Sequence, residues 1–362
     1  MLRRNYRQTL RFRPRGLLKG LRSRFTSAPA APEWQAKFAN ALSFQKDFGG
    51  RTDGSDNAAA FNSIPAGSIV VVESGFYTLL SAWNLVSGLQ VWFKPGARLY
   101  MPFVTTGVAG AISQAAIGTP LEGVRLYGGE FTKVSHDNAG RVFSVNINDF
   151  HCQDFKIDTF GNGGAFFISG NRVVLNNGRI TNPKRSTGVA GIRPVSGSNH
   201  RYRNLYVEAG DGALQIAPAV TGVLGNLDCS DIQYDHCSGW ASDASFILVG
   251  LVNQQGVGGL TNSITNFRFS RIKGESGSRA ILIDNQDSTG SISGGVLSDI
   301  DITCLANQPS NSKVVFRGSL GPCRDIKTKN VKVRSANNLL ITKSGAFIDA
   351  NSIDTSGVTI SA

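Results

Sequence analysis

The chain has 362 residues, of which only 17% are charged and 42 are glycine, and its formal net charge is +12. Residues 1–32 hold nine basic side chains and no acid, so the remainder carries only 12 − 9 = +3, which excludes a broad basic nucleic-acid surface on the body. No apolar run approaches the roughly 18 residues of a membrane span, and the five scattered cysteines offer neither a CxxC metal spacing nor an even disulfide framework.

In chain order, residues 1–40 read as a basic anchoring arm built on Arg3, Arg4, Arg7, Arg11, Arg13, Arg15, Lys19, Arg22 and Arg24, with Pro29 and Pro32 closing it before Trp34. No apolar stretch follows the charges, which argues against a secretory signal. The arm is expected to dock on an acidic partner or to become ordered inside an assembly. An organelle transit peptide and a plain disordered tail are the alternatives.

Residues 41–362 read as one body: an opening and cap at 41–120, coils at 121–345 and a terminal coil at 346–362. The opening runs from a Gly- and Asp-rich stretch, Lys46–Asn57, into the alanine-rich Ala58–Phe61. The segments Ile69–Val72, Ser74–Tyr77, Leu89–Phe93 and Gly96–Leu99 follow it.

One phrase then repeats seven times. Its first apolar segments are Asp154–Ile157, Gly178–Thr181, Asn204–Val207, Asp231–Tyr234, Arg271–Gly274, Asp299–Ile302 and Asn330–Val333. Its second segments are Gly164–Ile168, Gly191–Arg193, Gly212–Ile216, Ala244–Leu248, Arg279–Ile283, Lys313–Phe316 and Asn338–Ile341. The first-segment starts are 24, 26, 27, 40, 28 and 31 residues apart, which is solenoid spacing. These turns are mostly too short for propeller blades, and no helical period appears, so an all-β parallel β-helix is expected. The long interval contains a Gly- and Gln-rich excursion, Val249–Asn266, of the kind that sits on a binding face. Cys152 and Cys229 each precede a coil-opening Asp by two residues and read, with Cys237, Cys304 and Cys323, as small strand residues.

The opening, with its Asp47-Phe48-Gly49, Asp53-Gly54 and Asp56-Asn57 followed by the alanine-rich helix and glycine-capped strands, resembles that of the pectate-lyase-like superfamily. The resemblance covers residues 44 to about 350 and implies a right-handed, single-stranded parallel β-helix with a short N-terminal capping helix. Within that superfamily the chain looks most like a bacteriophage tailspike or related tail protein. The resemblance then implies a homotrimer fixed to the virion tail or baseplate through its arm, acting outside the host cell on bacterial surface polysaccharide. A tailspike would normally be longer, and no separate C-terminal trimerisation domain is expected after Val333.

Glycoside hydrolysis usually needs two carboxylates. Asp211 and Asp243 each precede by three residues the first large apolar residue of a second segment, Leu214 and Phe246, so they are expected to stack on adjacent turns as the catalytic pair. Glu208, Tyr234, His236, Trp240, Arg271 and Lys273 are the expected substrate-binding neighbours, because aromatic rings stack on sugar faces beside acids and cations. The competing reading is that each Asp merely bonds its own turn.

Gly210-Asp211-Gly212 and Arg271-Ile272-Lys273 look like elements of polygalacturonase-type hydrolases. However, Gly212 stands where a second Asp belongs, the upstream Asn-Thr-Asp is missing, and only an isolated His236 represents the His-Gly element. A lyase would draw on Asp243, Asp284 and Asp287 for calcium. No Gly-x-Ser-x-Gly elbow accompanies His136, His151, His200 or His236, so serine chemistry is not expected. The expectation is a tailspike-like candidate depolymerase without metal or other cofactor. A non-enzymatic adhesin or structural tail subunit, and a lyase or pectinase-type enzyme, are its alternatives.

Overall fold

A computed structural model of the chain describes Phe38 and residues 40–361, apart from residues 104, 106–109, 115–118, 135–139, 161–163, 182–189, 211, 219–226, 243–244, 252–261, 306–311 and 337–339. The arm residues Arg3, Arg4, Arg7, Arg11, Arg13, Arg15, Arg22 and Arg24 lie outside the described residues, as do Asp211 and Asp243. The core of the Val249–Asn266 excursion lies outside them too.

The body is a parallel β-helix. One of its sheets steps from Trp83–Asn84 through Gly110–Ser113, Arg141–Asn148, Phe166–Ser169, Ile192–Pro194, Leu214–Ile216, Ser245–Leu251, Arg279–Asn285 and Val314–Gly318 to Ile341–Ser344. Each strand pairs in parallel with the one a coil away, for example Ile281 with Val314 and Ile247 with Ile281. The chain between consecutive members supplies the strands of a larger second sheet. All seven second segments expected from sequence overlap strands of the first sheet, the last of them only at Ile341, where the expected segment ends and the strand begins.

The first segments are longer than expected, because the chain bends without leaving the ladder. Gly197–Ala209 and Gly295–Cys304 are single strands interrupted by a residue with positive φ, Asn199 and Asn204 in one and Asp299 in the other. Two columns of such corner residues run along the solenoid. Asp149, Arg172, Asn199, Asp231, Asn266 and Asp325 belong to the first, and Asp154, Asn177, Asn204, His236, Arg271, Asp299 and Asn330 to the second, all with φ between 50° and 59°. Asp and Asn tolerate the left-handed region better than other side-chain-bearing residues, which explains why they open the coils.

The register corrects one sequence assignment. Arg203 pairs with Asp235, and Asp235 with Ser270, so the coil equivalent of Asn204 and Arg271 is His236. Asp231 belongs to the other corner column.

Alternate residues fill the bore. Phe143 stacks on Phe166 at 4.6 Å, and Tyr234 stacks on Phe269 at 4.9 Å with the rings 3° from parallel. All five cysteines are free and buried. At the N-terminal end, helices Phe44–Phe48 and Ala58–Asn62 bring Phe44 onto Phe61 at 4.0 Å and close the bore. Asn57, 1% exposed, organises the preceding loop: its amide donates to the Arg51 and Ser55 carbonyls, and its oxygen accepts from the Arg51 backbone. Among the described residues no helix is long and apolar enough to cross a membrane.

Candidate functional site

Beyond the second corner column, outward residues fall at fixed offsets. Two residues after the corner come Arg179, Tyr206, Ser238, Lys273 and Asp301, in register on successive coils. Four residues after it, Glu208 pairs with Trp240, and Trp240 with Glu275. Strand parity puts Leu205, Val207 and Ala209 in the bore and turns Tyr206 and Glu208 outward. Adjacent strands lie about 4.8 Å apart, so the Glu208 and Glu275 backbones are about 9.6 Å apart with the indole between them.

Local contacts hold this face. The Tyr206 hydroxyl donates to Glu208 Oε1 at 2.7 Å, and the Arg179 guanidinium lies 4.5 Å from the centre of the Tyr206 ring. Burial pushes the Tyr206 phenol up to about 12, helped by its bond to Glu208 and by the charges of Glu208 and Glu275, against the pull of Arg179. The phenol therefore stays protonated and donates to Glu208 at neutral pH. Gly239, between Ser238 and Trp240, has φ 148°, and a Cβ there would meet the Val207 carbonyl oxygen at 1.8 Å. Only glycine lets this strand pack so closely against its neighbour.

Of the residues expected from sequence, Glu208, Trp240 and Lys273 are brought together on this face. His236 and Arg271 stand at the corner beside it. There the Asp235 carboxylate accepts Arg271 Nε at 2.8 Å and Ser270 Oγ at 2.8 Å, also accepts Arg271 Nη2, and lies 3.2 Å from His236 Nδ1. Burial raises the Asp235 carboxyl, but Arg271 and Ser270 outweigh it and bring the group down to about 2. Arg271 is thus committed to a corner clamp rather than free for substrate.

Tyr234 is corrected outright. It is fully buried in the bore, where its hydroxyl donates to the Gln215 carbonyl at 2.6 Å, and it cannot touch a ligand outside. It shares the parity of Ile232, which was visible in the sequence.

The register also changes the argument for Asp211 and Asp243. Leu214 pairs with Ile247, not Phe246, so counting back from the second segments is off by one. Counted forward, both follow by three residues the paired positions Glu208 and Trp240. Tyr206 was absent from the expected site. Its signal was the constant offset from the corner: it follows Asn204 by two residues as Lys273 follows Arg271.

The calcium reading loses two members. Asp284 is buried and paired with Arg317, with Gln286 and Ser319 also donating to it, while Asp287 accepts from Thr289 and from Asn262. Among the described residues no group of three His, Cys, Asp or Glu is placed to hold a metal ion. His200 is a core residue, bonded to Tyr202 and the Gly170 carbonyl at 2.8 Å each and brought down to about 4 by burial.

No protein-family model matches the sequence, and neither does any curated protein. Solved structures do match the fold. The family 28 exopolygalacturonase of Yersinia enterocolitica superposes with a TM-score of 0.55 at 12% identity, covering 89% of this chain and 75% of that one. An exopolygalacturonase from Thermotoga maritima gives 0.51 at 11% identity, covering 91% and 96%. A galactohydrolase acting on a sulfated galactose and anhydrogalactose polymer gives 0.52 at 14% identity, covering 88% and 92%. The chain therefore has the right-handed parallel β-helix fold of these polysaccharide-degrading enzymes. At these identities the likeness concerns the fold.

Proposed function

We propose that the chain grips a polysaccharide on the Tyr206, Glu208, Trp240, Lys273 and Glu275 face and hydrolyses it. The observation that carries this reading is the column in which Glu208 and Glu275 flank Trp240 at one register position. A half-buried indole offers a flat stacking surface for a sugar ring. Two carboxylates on its two sides, about 9.6 Å apart at the backbone, lie near the roughly 6.5–9.5 Å carboxyl separation of inverting glycosidases. One carboxyl would protonate the leaving oxygen while the other activates water from the opposite side of the ring. Asp211 and Asp243, which follow Glu208 and Trp240 by three residues in the sequence, form the alternative acid pair.

In its finer form the reading is of a phage tailspike-like protein, homotrimeric, anchored to the virion by the basic arm of residues 1–40 and acting on bacterial surface polysaccharide outside the cell. Support for it comes from the opening motif and from the concentration of charge in the arm. A non-enzymatic adhesin uses the same face without turnover.

The test is incubation of the protein with capsular and lipopolysaccharide glycans, scoring reducing ends and unsaturated-uronate absorbance. The wild type should be compared with Glu208→Gln/Glu275→Gln and Asp211→Asn/Asp243→Asn double variants. New reducing ends without unsaturation, abolished in the first variant, support the Glu pair; abolition only in the second moves catalysis to the Asp pair. Unsaturated products would mean a lyase, and binding without cleavage in every protein would mean an adhesin.

A further inference from the structure

A different face, between the two corner columns, carries a depression of about 430 Å³ lined by Arg125, Asp149, His151, Arg172, Val174 and Arg201 among others. Its floor follows from the register. Arg125, His151, Val174 and Arg201 occupy one outward position on four successive strands. The short Val174 side chain between two long ones leaves the gap, and the corner residues Asp149 and Arg172 raise one wall. The volume falls within the range of small-molecule sites.

The charges in this hollow are unequal. Arg172 is held bidentate by Asp149, with bonds of 2.6 and 2.7 Å. Arg201 is held by the Asp231 carboxylate at 2.7 Å and the Asp231 carbonyl at 2.8 Å. Glu122, outside the lining, accepts the Asn148 amide at 2.7 Å. Arg125 is half-buried, and its side chain makes no hydrogen bond or ion pair among the described residues. Beside it, burial and then the Arg125 charge lower the His151 pKa, which keeps the ring neutral and able to hydrogen-bond at neutral pH. A half-buried guanidinium with an open planar fork, facing a hollow with three arginines and one carboxylate, is suited to a carboxylate, sulfate or phosphate oxygen pair.

We propose that this depression is a binding site for the anionic substituent of an acidic sugar, with Arg125 as its primary ligand and Val174 as the floor under the ring. It lies on the face before the second corner column, whereas Glu208 and Trp240 lie after it, so the two sites are distinct. The inference rests on the polysaccharide reading only in taking a sugar as the carrier of the anion.

The test is titration calorimetry of the full chain at low salt with digalacturonate, galactose 6-sulfate, glucose 1-phosphate and neutral galactobiose. Digalacturonate should occupy a site that weakens at least tenfold in Arg125→Gln and vanishes in Val174→Trp, whose outward ring fills the hollow. That site should persist in Trp240→Ala, and galactobiose should not occupy it. The sulfate and phosphate sugars show which anion is preferred. Circular dichroism confirms that each variant is folded. Wild-type affinity in both Arg125→Gln and Val174→Trp, or no binding of any anionic sugar to the wild type, overturns the proposal. Competition by inorganic sulfate as strong as by galactose 6-sulfate overturns its sugar component. Because hydrolysis is scored separately with the Glu208 and Glu275 variants, failure here is distinguishable from failure of the catalytic reading.

Discussion

Glu208 and Glu275 occupy the same register position two coils apart, with Trp240 on the strand between them. Such a column needs no long-range coincidence in a solenoid, because equivalent positions of successive coils are stacked by the hydrogen-bond ladder itself.

Removing either carboxylate should therefore separate turnover from folding. Glu208→Gln or Glu275→Gln is expected to lower glycan hydrolysis by about 10²–10⁴-fold, the usual contribution of a general acid or base. Urea unfolding midpoints should stay close to wild type. Equal loss of stability and activity would show that the pair is structural.

Gly239→Ala should behave in the opposite way. The added Cβ would stand 1.8 Å from the Val207 carbonyl oxygen at a φ of 148°, so backbone must move. A destabilisation of about 2–4 kcal/mol is expected from combined strain and overpacking, read as a lower urea midpoint. Glycan affinity should fall with it, because Trp240 is the next residue.

At the corner, Asp235→Asn should cost about 1–3 kcal/mol by weakening charge-assisted bonds to Arg271. The pH dependence has a definite sign. The folded-state carboxyl is depressed to about 2, so its stabilisation is present above about pH 4 and is lost as pH falls toward 2. The gap in stability between wild type and variant, measured by urea unfolding from pH 6 to pH 2, should narrow over that window and not above it.

The five thiols give a check on the bore. Burial raises all of them, Cys237 and Cys323 to about 12 and Cys304 to about 11. At pH 8 a thiol reagent should leave the native protein unlabelled and count five thiols after unfolding. Rapid native labelling would mean that a coil opens or that a cysteine faces outward.

Much of this fold was written in local pattern. Alternating apolar residues dictate which side chains enter the bore, and Asp or Asn at coil openings marks the left-handed corners, because few other side chains tolerate that backbone. Parity alone would have placed Tyr234 inside with Ile232.

The sequence by itself determined the coil, its repeat and the inward and outward alternation, since these depend on interactions within a few residues. Only the tertiary structure decided which coil residues are equivalent. Spacing made Asp231 look like the partner of Arg271, whereas ladder pairing assigns that place to His236. With that correction Tyr206, Glu208, Trp240, Lys273 and Glu275 fall onto one face and Arg271 becomes a clamp on Asp235. Loops of unequal length separate these residues in the chain, and hydrogen bonds between strands, not sequence distance, bring them into register.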